Sequence, residues 1–154
     1  MPMSTHNSNK DQETLWNPKH LKLALSGEKN LEGFNLKGAA FWNANLQGAN
    51  LQEAGLQGAN LQGAQIQGVK LRRAKLRGAN LTGANLSHAD LEGANLHGAN
   101  LHGANLEGVI FSGAENLSPG QLIEAKNVHL ALDLPFPLQD VLVAKQLAAM
   151  EEAS

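Results

Sequence analysis

The run Ala44-Asn45-Leu46-Gln47-Gly48-Ala49-Asn50-Leu51 sets a period of five, and that period decides how the chain is read. Stepping by five in both directions from Leu46, the seventeen positions from Leu31 to Phe111 are all apolar: fourteen Leu, with Phe41, Ile66 and Phe111. Two residues before the Leu phase, from Phe34 to Ala114, stand fourteen Ala and three larger residues, Phe34, Val69 and Val109. Asn is the commonest residue just before the Leu, and Gly fills thirteen of the seventeen positions two after it.

Neither regular element accommodates this spacing. On an α-helix five residues advance by ~500°, which scatters successive leucines around the axis. On a strand the odd step throws each next Leu to the opposite face. A chain that turns by a constant angle every five residues keeps Leu and Ala inward throughout, and such a coil is a solenoid whose turns stack by backbone hydrogen bonds. Ala is small because two side chains per repeat share a narrow interior. Gly marks the corner, where positive φ is free to it. Asn43, Glu53, Arg73 and His88 at the same phase imply that the corner prefers Gly without demanding it.

Ala44-Asn45-Leu46-Gln47-Gly48 and Ala89-Asp90-Leu91-Glu92-Gly93 resemble the A(N/D)LXX signature of the pentapeptide-repeat family, and the match runs without a gap over about residues 31–115. The resemblance implies an all-β solenoid: a right-handed quadrilateral β-helix with one pentapeptide per side and twenty residues per coil. Seventeen repeats then give about four coils, roughly 20 Å tall at ~4.8 Å per coil. Charge spacing agrees. A twenty-residue offset places Lys70 over Asp90, Arg72 over Glu92 and Arg73 over Glu53, whereas fifteen gives two pairs, Lys75 with Asp90 and Arg77 with Glu92.

Exposed coil ends require caps. Residues 1–15 are polar and read as a disordered tail, and 16–30 as an N-terminal capping helix. In it Asn17 is the N-cap, Pro18 the first position and Gly27 the stop. Trp16, Phe34 and Phe41 are expected to fill the junction. Residues 116–154 read as a C-terminal helical cap, with a capping box at Ser118-Pro119-Gly120-Gln121 and a helix to about Lys126. An extended Leu134-Pro135-Phe136-Pro137 and a last helix from Leu138 to Glu152 complete it. That last helix is expected to pack across the barrel end. The alternative is a dimer interface formed by Leu138, Val141, Leu142 and Leu147.

Catalytic chemistry lacks its parts. Cys is absent, and Ser87 and Ser112 sit at outward phases without a His-Asp set. His88, His97 and His102 have no acidic residue at a ligand spacing, so the reading is no metal, no cofactor and no enzyme. Glycines five apart, such as Gly78 and Gly83, mimic a phosphate loop but no Lys follows. The basic run Lys70, Arg72, Arg73, Lys75 and Arg77 is mostly matched by acids of neighbouring coils and carries no interleaved aromatics, which disfavours nucleic acid as partner. Lys75 and Arg77 are its unmatched remainder. Trp42 takes an outward phase and is expected to lie under the N-terminal helix, or else to be an exposed anchor for a partner.

A formal net charge of −2 favours neither nucleic acid nor an anionic membrane. No apolar run is long enough to span a bilayer and the N-terminal residues lack an apolar signal region, so the expected compartment is cytoplasmic. The expected function is a non-enzymatic scaffold whose outer faces dock a protein partner, with Trp42, Lys75 and Arg77 as candidate contacts. The alternative comes from the resemblance alone: the best understood members imitate duplex DNA and so inhibit or protect DNA gyrase, the fluoroquinolone-resistance type. That role needs an acidic rod, whereas residues 31–115 hold six basic and six acidic residues. The near-uniform Leu also resembles the plain bacterial, often cyanobacterial, members.

Overall fold

In the computed structural model, which describes residues 16–154, the five-residue period becomes a stacked coil with a register of twenty. Residues 1–15, read as a disordered tail, lie outside the described residues. Parallel bridges join Asn30 to Asn50, Asn35 to Gly55, Ala40 to Asn60 and Asn45 to Gln65, and continue in the same register to Asn95 with Glu115. Four repeats separate each residue from its partner, so the chain has four sides. We call them the Leu31, Leu36, Phe41 and Leu46 sides, each after its first inward residue at the leucine phase.

The ladders are one-residue bridges, not continuous strands. The reason lies in how each repeat spends its backbone. Taking residues 50–54, Leu51 N–H donates forward to Lys70 O and Glu53 N–H to Arg72 O, while Asn50 N–H donates back to Lys29 O. Ala54 N–H closes the corner on Leu51 O. The remaining donor, Gln52 N–H, is taken by the Asn50 side-chain oxygen at 3.1 Å. All five donors are satisfied within the repeat and its neighbours, as stacked backbone requires. Asn45, Asn60, Asn80, Asn85, Asp90, Asn95, Asn100 and Asn105 repeat that side-chain contact two residues on. Only a short side chain with an acceptor oxygen does this, which is why the signature calls for Asn or Asp before the Leu.

The interior is filled by two sets of inward residues, one at the leucine phase and one at the alanine phase. Every leucine-phase residue from Leu31 to Phe111 is buried, with at most 2% exposure, and the alanine-phase residues between Ala49 and Val109 are as well covered. Each corner sits at positive φ, between about 62° and 70° at the thirteen corner glycines. Asn43, Glu53, Arg73 and His88 hold the same left-handed conformation, at φ 55° to 60°.

Helix α1 (Pro18–Leu25) closes the first coil. Asn17 caps it by accepting from Lys19 N–H at 3.0 Å and His20 N–H at 3.4 Å. The helix is fastened to the repeat by two further bonds. Asn17 N–H donates to Asn35 O at 3.0 Å, and Asn35 N–H donates to His20 Nδ1 at 2.9 Å. In deeper coils the equivalent donor reaches back to the preceding turn; here His20 replaces that turn, and its ring stacks on Phe34 at 4.1 Å. Trp16 and Phe34 are half-buried against the core and Phe41 is fully buried, so these three fill the junction.

The downstream end departs from a purely helical cap. Helix α2 (Pro119–Ile123) stops before Lys126, which bridges Asn105, and Leu132 bridges Ile110. These offsets of twenty-one and twenty-two mean that bridging outlasts the five-residue signature, in sides lengthened by a residue. Asn116, Asn127 and Asp133 supply the left-handed corners there. Gln121 closes the last regular coil: its Nε2 donates to Leu96 O at 2.7 Å and Ala99 O at 2.9 Å, while its Oε1 accepts from Ser118 N–H at 2.8 Å. A turn over residues 136–138 breaks the expected extended segment, and the Phe136-Pro137 bond within it is cis. Helix α3 (Gln139–Glu152) packs against α2 and the 3₁₀ turn Val128–Leu130.

Candidate functional site

With the interior filled, the four outer sides carry the exposed side chains, and these differ sharply. The Leu31 side carries its own counter-ions. Arg72 Nε meets Asp90 Oδ2 at 2.6 Å and its Nη2 meets Glu92 at 3.3 Å, while Arg73 lies 3.7 Å from Glu53. The hydrogen bond and charge of Asp90 hold the Arg72 guanidinium above its ordinary range. Lys70 bridges Asp90 through the backbone, as the twenty-residue offset anticipates, but the Asp90 carboxylate is taken by Arg72.

The Leu36 side is different. Lys75 bridges Gly55 above and Asn95 below, and Arg77 O accepts from Gly58 N–H one turn up. Both side chains are exposed, and neither forms an ion pair among the described residues. Lys37 lies on the same side, and with Lys75 lines a surface cavity of about 230 Å³. Among the described residues Lys37, Lys75 and Arg77 form no ion pair, which leaves this side positive.

On the Phe41 side the outward residues are Ala40, Trp42, Asn60, Gln62, Asn80, Thr82, Asn100 and His102, with no carboxylate or ammonium group among them. Trp42 is 64% exposed, which corrects the expectation that α1 covers it. The helix is anchored at Asn35 and Phe34, and Trp42 points outward from the side beyond. Its indole borders a surface cavity of about 330 Å³ with Asn43, Asn60 and Gln62.

The candidate interface on α3 also needs correction. Leu138 is buried within the chain, and Val141 and Leu142 are half-buried against the core, because α3 turns those residues toward the barrel end. Leu147 is 57% exposed, and beside it Val143 and Met150 are exposed too. The outward apolar strip of α3 is therefore Val143, Leu147 and Met150, which the sequence reading assigned only in part.

His88 occupies a corner, whereas His102 pairs with Glu124 at 3.6 Å. Among the described residues no group of three His, Cys, Asp or Glu side chains is placed to hold a metal. No helix among them is long and apolar enough to cross a membrane.

The family model for pentapeptide repeats matches residues 30–73 and 74–113, in eight copies. No curated protein matches the chain. Among solved structures, a pentapeptide repeat protein of Nostoc Pcc 7120 is 29% identical over 68% of this chain and 91% of its own, with a TM-score of 0.41. One from the cyanobacterium Cyanothece 51142 is 25% identical, covering 75% of this chain and 99% of its own, at a TM-score of 0.40. A third, from the Arabidopsis thaliana thylakoid lumen, is 23% identical over 84% and 96% of the two chains, with a TM-score of 0.43.

Proposed function

This chain belongs to the pentapeptide-repeat family, and on that premise we propose that it is a non-enzymatic scaffold that docks a protein partner on its outer sides. Membership also supports the finer reading of the solenoid as a right-handed, four-sided β-helix of about four coils. The observation that carries the function is the division of labour between inside and outside. Leucine and alanine columns fill the axis and leave no room for a substrate, while rigid backbone ladders hold exposed groups at fixed spacing. Trp42, with Lys75 and Arg77, which form no ion pair among the described residues, are the contacts we assign to that surface.

The alternative, a DNA-mimicking modulator of DNA gyrase, calls for an acidic rod. The Leu36 side is basic and the Leu31 side neutralises itself, so the charge of a duplex is not reproduced. Supercoiling by purified gyrase separates the two, and we expect no inhibition or drug protection at stoichiometric protein. Scaffold function is tested by affinity capture with the full chain beside a Trp42→Ala/Lys75→Gln/Arg77→Gln variant. A stoichiometric protein partner lost on the triple substitution supports the reading; equal capture by both contradicts it. Self-association, if it accompanies docking, runs through Val143, Leu147 and Met150 of α3, and light scattering separates monomer from homodimer.

A further inference from the structure

Gly55 is the one glycine of the repeat region that stands off the corner phase. The corner glycines sit in the left-handed region, whereas Gly55 does not, so the backbone there would accept any L residue. Its column holds Asn35, Lys75, Asn95 and Glu115, so a side chain of ordinary size fits this position one turn above and below. What the glycine provides is space. It opens the 230 Å³ notch, whose walls include Asn35, Lys37, Gln57 and Lys75. Glu53 also borders the notch, but Arg73 lies 3.7 Å from its carboxylate.

A second observation points to a missing partner. The Gln57 side-chain oxygen is buried over Gly55 and, among the described residues, has no hydrogen-bond partner; it lies 3.2 Å from where a Cβ on Gly55 would stand. As placed, that oxygen calls for a donor, and Gln67 Oε1 is buried and unsatisfied in the same way away from the notch; with the amide turned about its last bond, Gln57 instead offers N–H donors to the notch. Lys37 and Lys75 thus line a surface notch that the Gln57 amide also borders. Arg77 extends the positive surface one step further along the same side.

We propose that this notch receives a carboxylate side chain, and that the protein partner docks on the Leu36 side through an acidic segment. The proposal rests on the scaffold reading and names the chemistry of its partner. A carboxylate fits the opposite charge and the amide donors of the notch. Nucleic acid is the weaker occupant, because the aromatic residue lining the notch, Phe34, is half-buried and already stacked on His20.

The test uses the full chain and a fluorescein-labelled oligoglutamate peptide, followed by anisotropy at low and at physiological salt, with a short DNA duplex in parallel. The peptide is expected to bind, more weakly as salt rises. Lys75→Gln should weaken it about two- to fivefold, as for an exposed ion pair. Gly55→Asn should weaken it at least as much while leaving thermal unfolding unchanged or raised, since Asn restores the usual acceptor for the N–H two residues on. Lys126→Gln, which removes the same charge from another side, should have no effect. Four results overturn the proposal: no peptide binding, wild-type binding by a folded Gly55→Asn variant, equal weakening by Lys126→Gln, or tighter binding of the duplex than of the peptide. Capture repeated with Trp42→Ala alone, which alters only the Phe41 side, is independent of these results and keeps the scaffold reading separately testable.

Discussion

Replacing Gly98 with Ala isolates the cost of a corner. Gly98 sits at φ 64°, and a Cβ built there meets nothing within 4 Å. No steric term therefore enters, and the penalty is that of holding an L residue in the left-handed region, about 1–2 kcal/mol. Ala also restricts the unfolded chain relative to Gly, which returns about 0.4–1 kcal/mol. The net expectation is a loss of about 1 kcal/mol. Gly98→Asn should lose less, since Asn tolerates this conformation and already occupies it at Asn43, Asn116 and Asn127. Gly108→Ala should lose more, because the same Cβ would overlap the His88 ring, whose Cε1 lies at 2.9 Å. Urea unfolding followed by circular dichroism gives the ranking from the midpoints, provided the slopes stay equal. If Gly98→Ala is as stable as the parent, the corners do not need positive φ and the account of the thirteen glycines is wrong.

Two further outcomes follow from the packing. Leu76→Ala should cost about 2–5 kcal/mol by opening a cavity in the column, and Ala79→Leu about 1–3 kcal/mol by overfilling it. Thermal denaturation reads both, and tolerance of Ala79→Leu would mean that the interior is not close-packed. His20→Phe keeps a ring on Phe34 but removes the acceptor that His20 Nδ1 offers the Asn35 N–H, which should cost about 0.5–1.5 kcal/mol for the lost hydrogen bond. Amide hydrogen exchange at residue 35 should accelerate, while exchange in the central coils, near Leu76, stays slow; unchanged protection at residue 35 would count against the fastening of α1 through His20.

The repeat was legible because its period is incompatible with helix and strand alike, and because Leu and Ala phases report burial directly. The register of twenty was hinted by Arg73 with Glu53 and Arg72 with Glu92, both of which pair in the structure. Finer matters depend on side-chain reach. Lys70 stacks on Asp90 by register, yet Arg72 takes that carboxylate across an eighteen-residue diagonal. Trp42 was misplaced because the side covered by α1 depends on where its anchors lie, and the Asn35–His20 bond has no periodic signature. The late bridges of Lys126 and Leu132 were hidden for a similar reason: lengthening a side by one residue breaks the phase by which the eye follows the coil. Gly55 was visible as an off-phase glycine, but its meaning needed the φ value and the unsatisfied Gln57 oxygen.

The turn length of the solenoid can be measured with crosslinks, since the chain contains no Cys of its own. Adjacent turns stand ~4.8 Å apart, within the Cα separation that a disulfide bridges. In a Gln62→Cys/Thr82→Cys variant, twenty residues apart on one side, oxidation should close the pair within the monomer, seen as faster migration on a non-reducing gel. A Gln62→Cys/Arg77→Cys variant, fifteen apart, should stay reduced because its residues face different sides. Closure of the fifteen-residue pair with failure of the twenty-residue pair would contradict the four-sided stack.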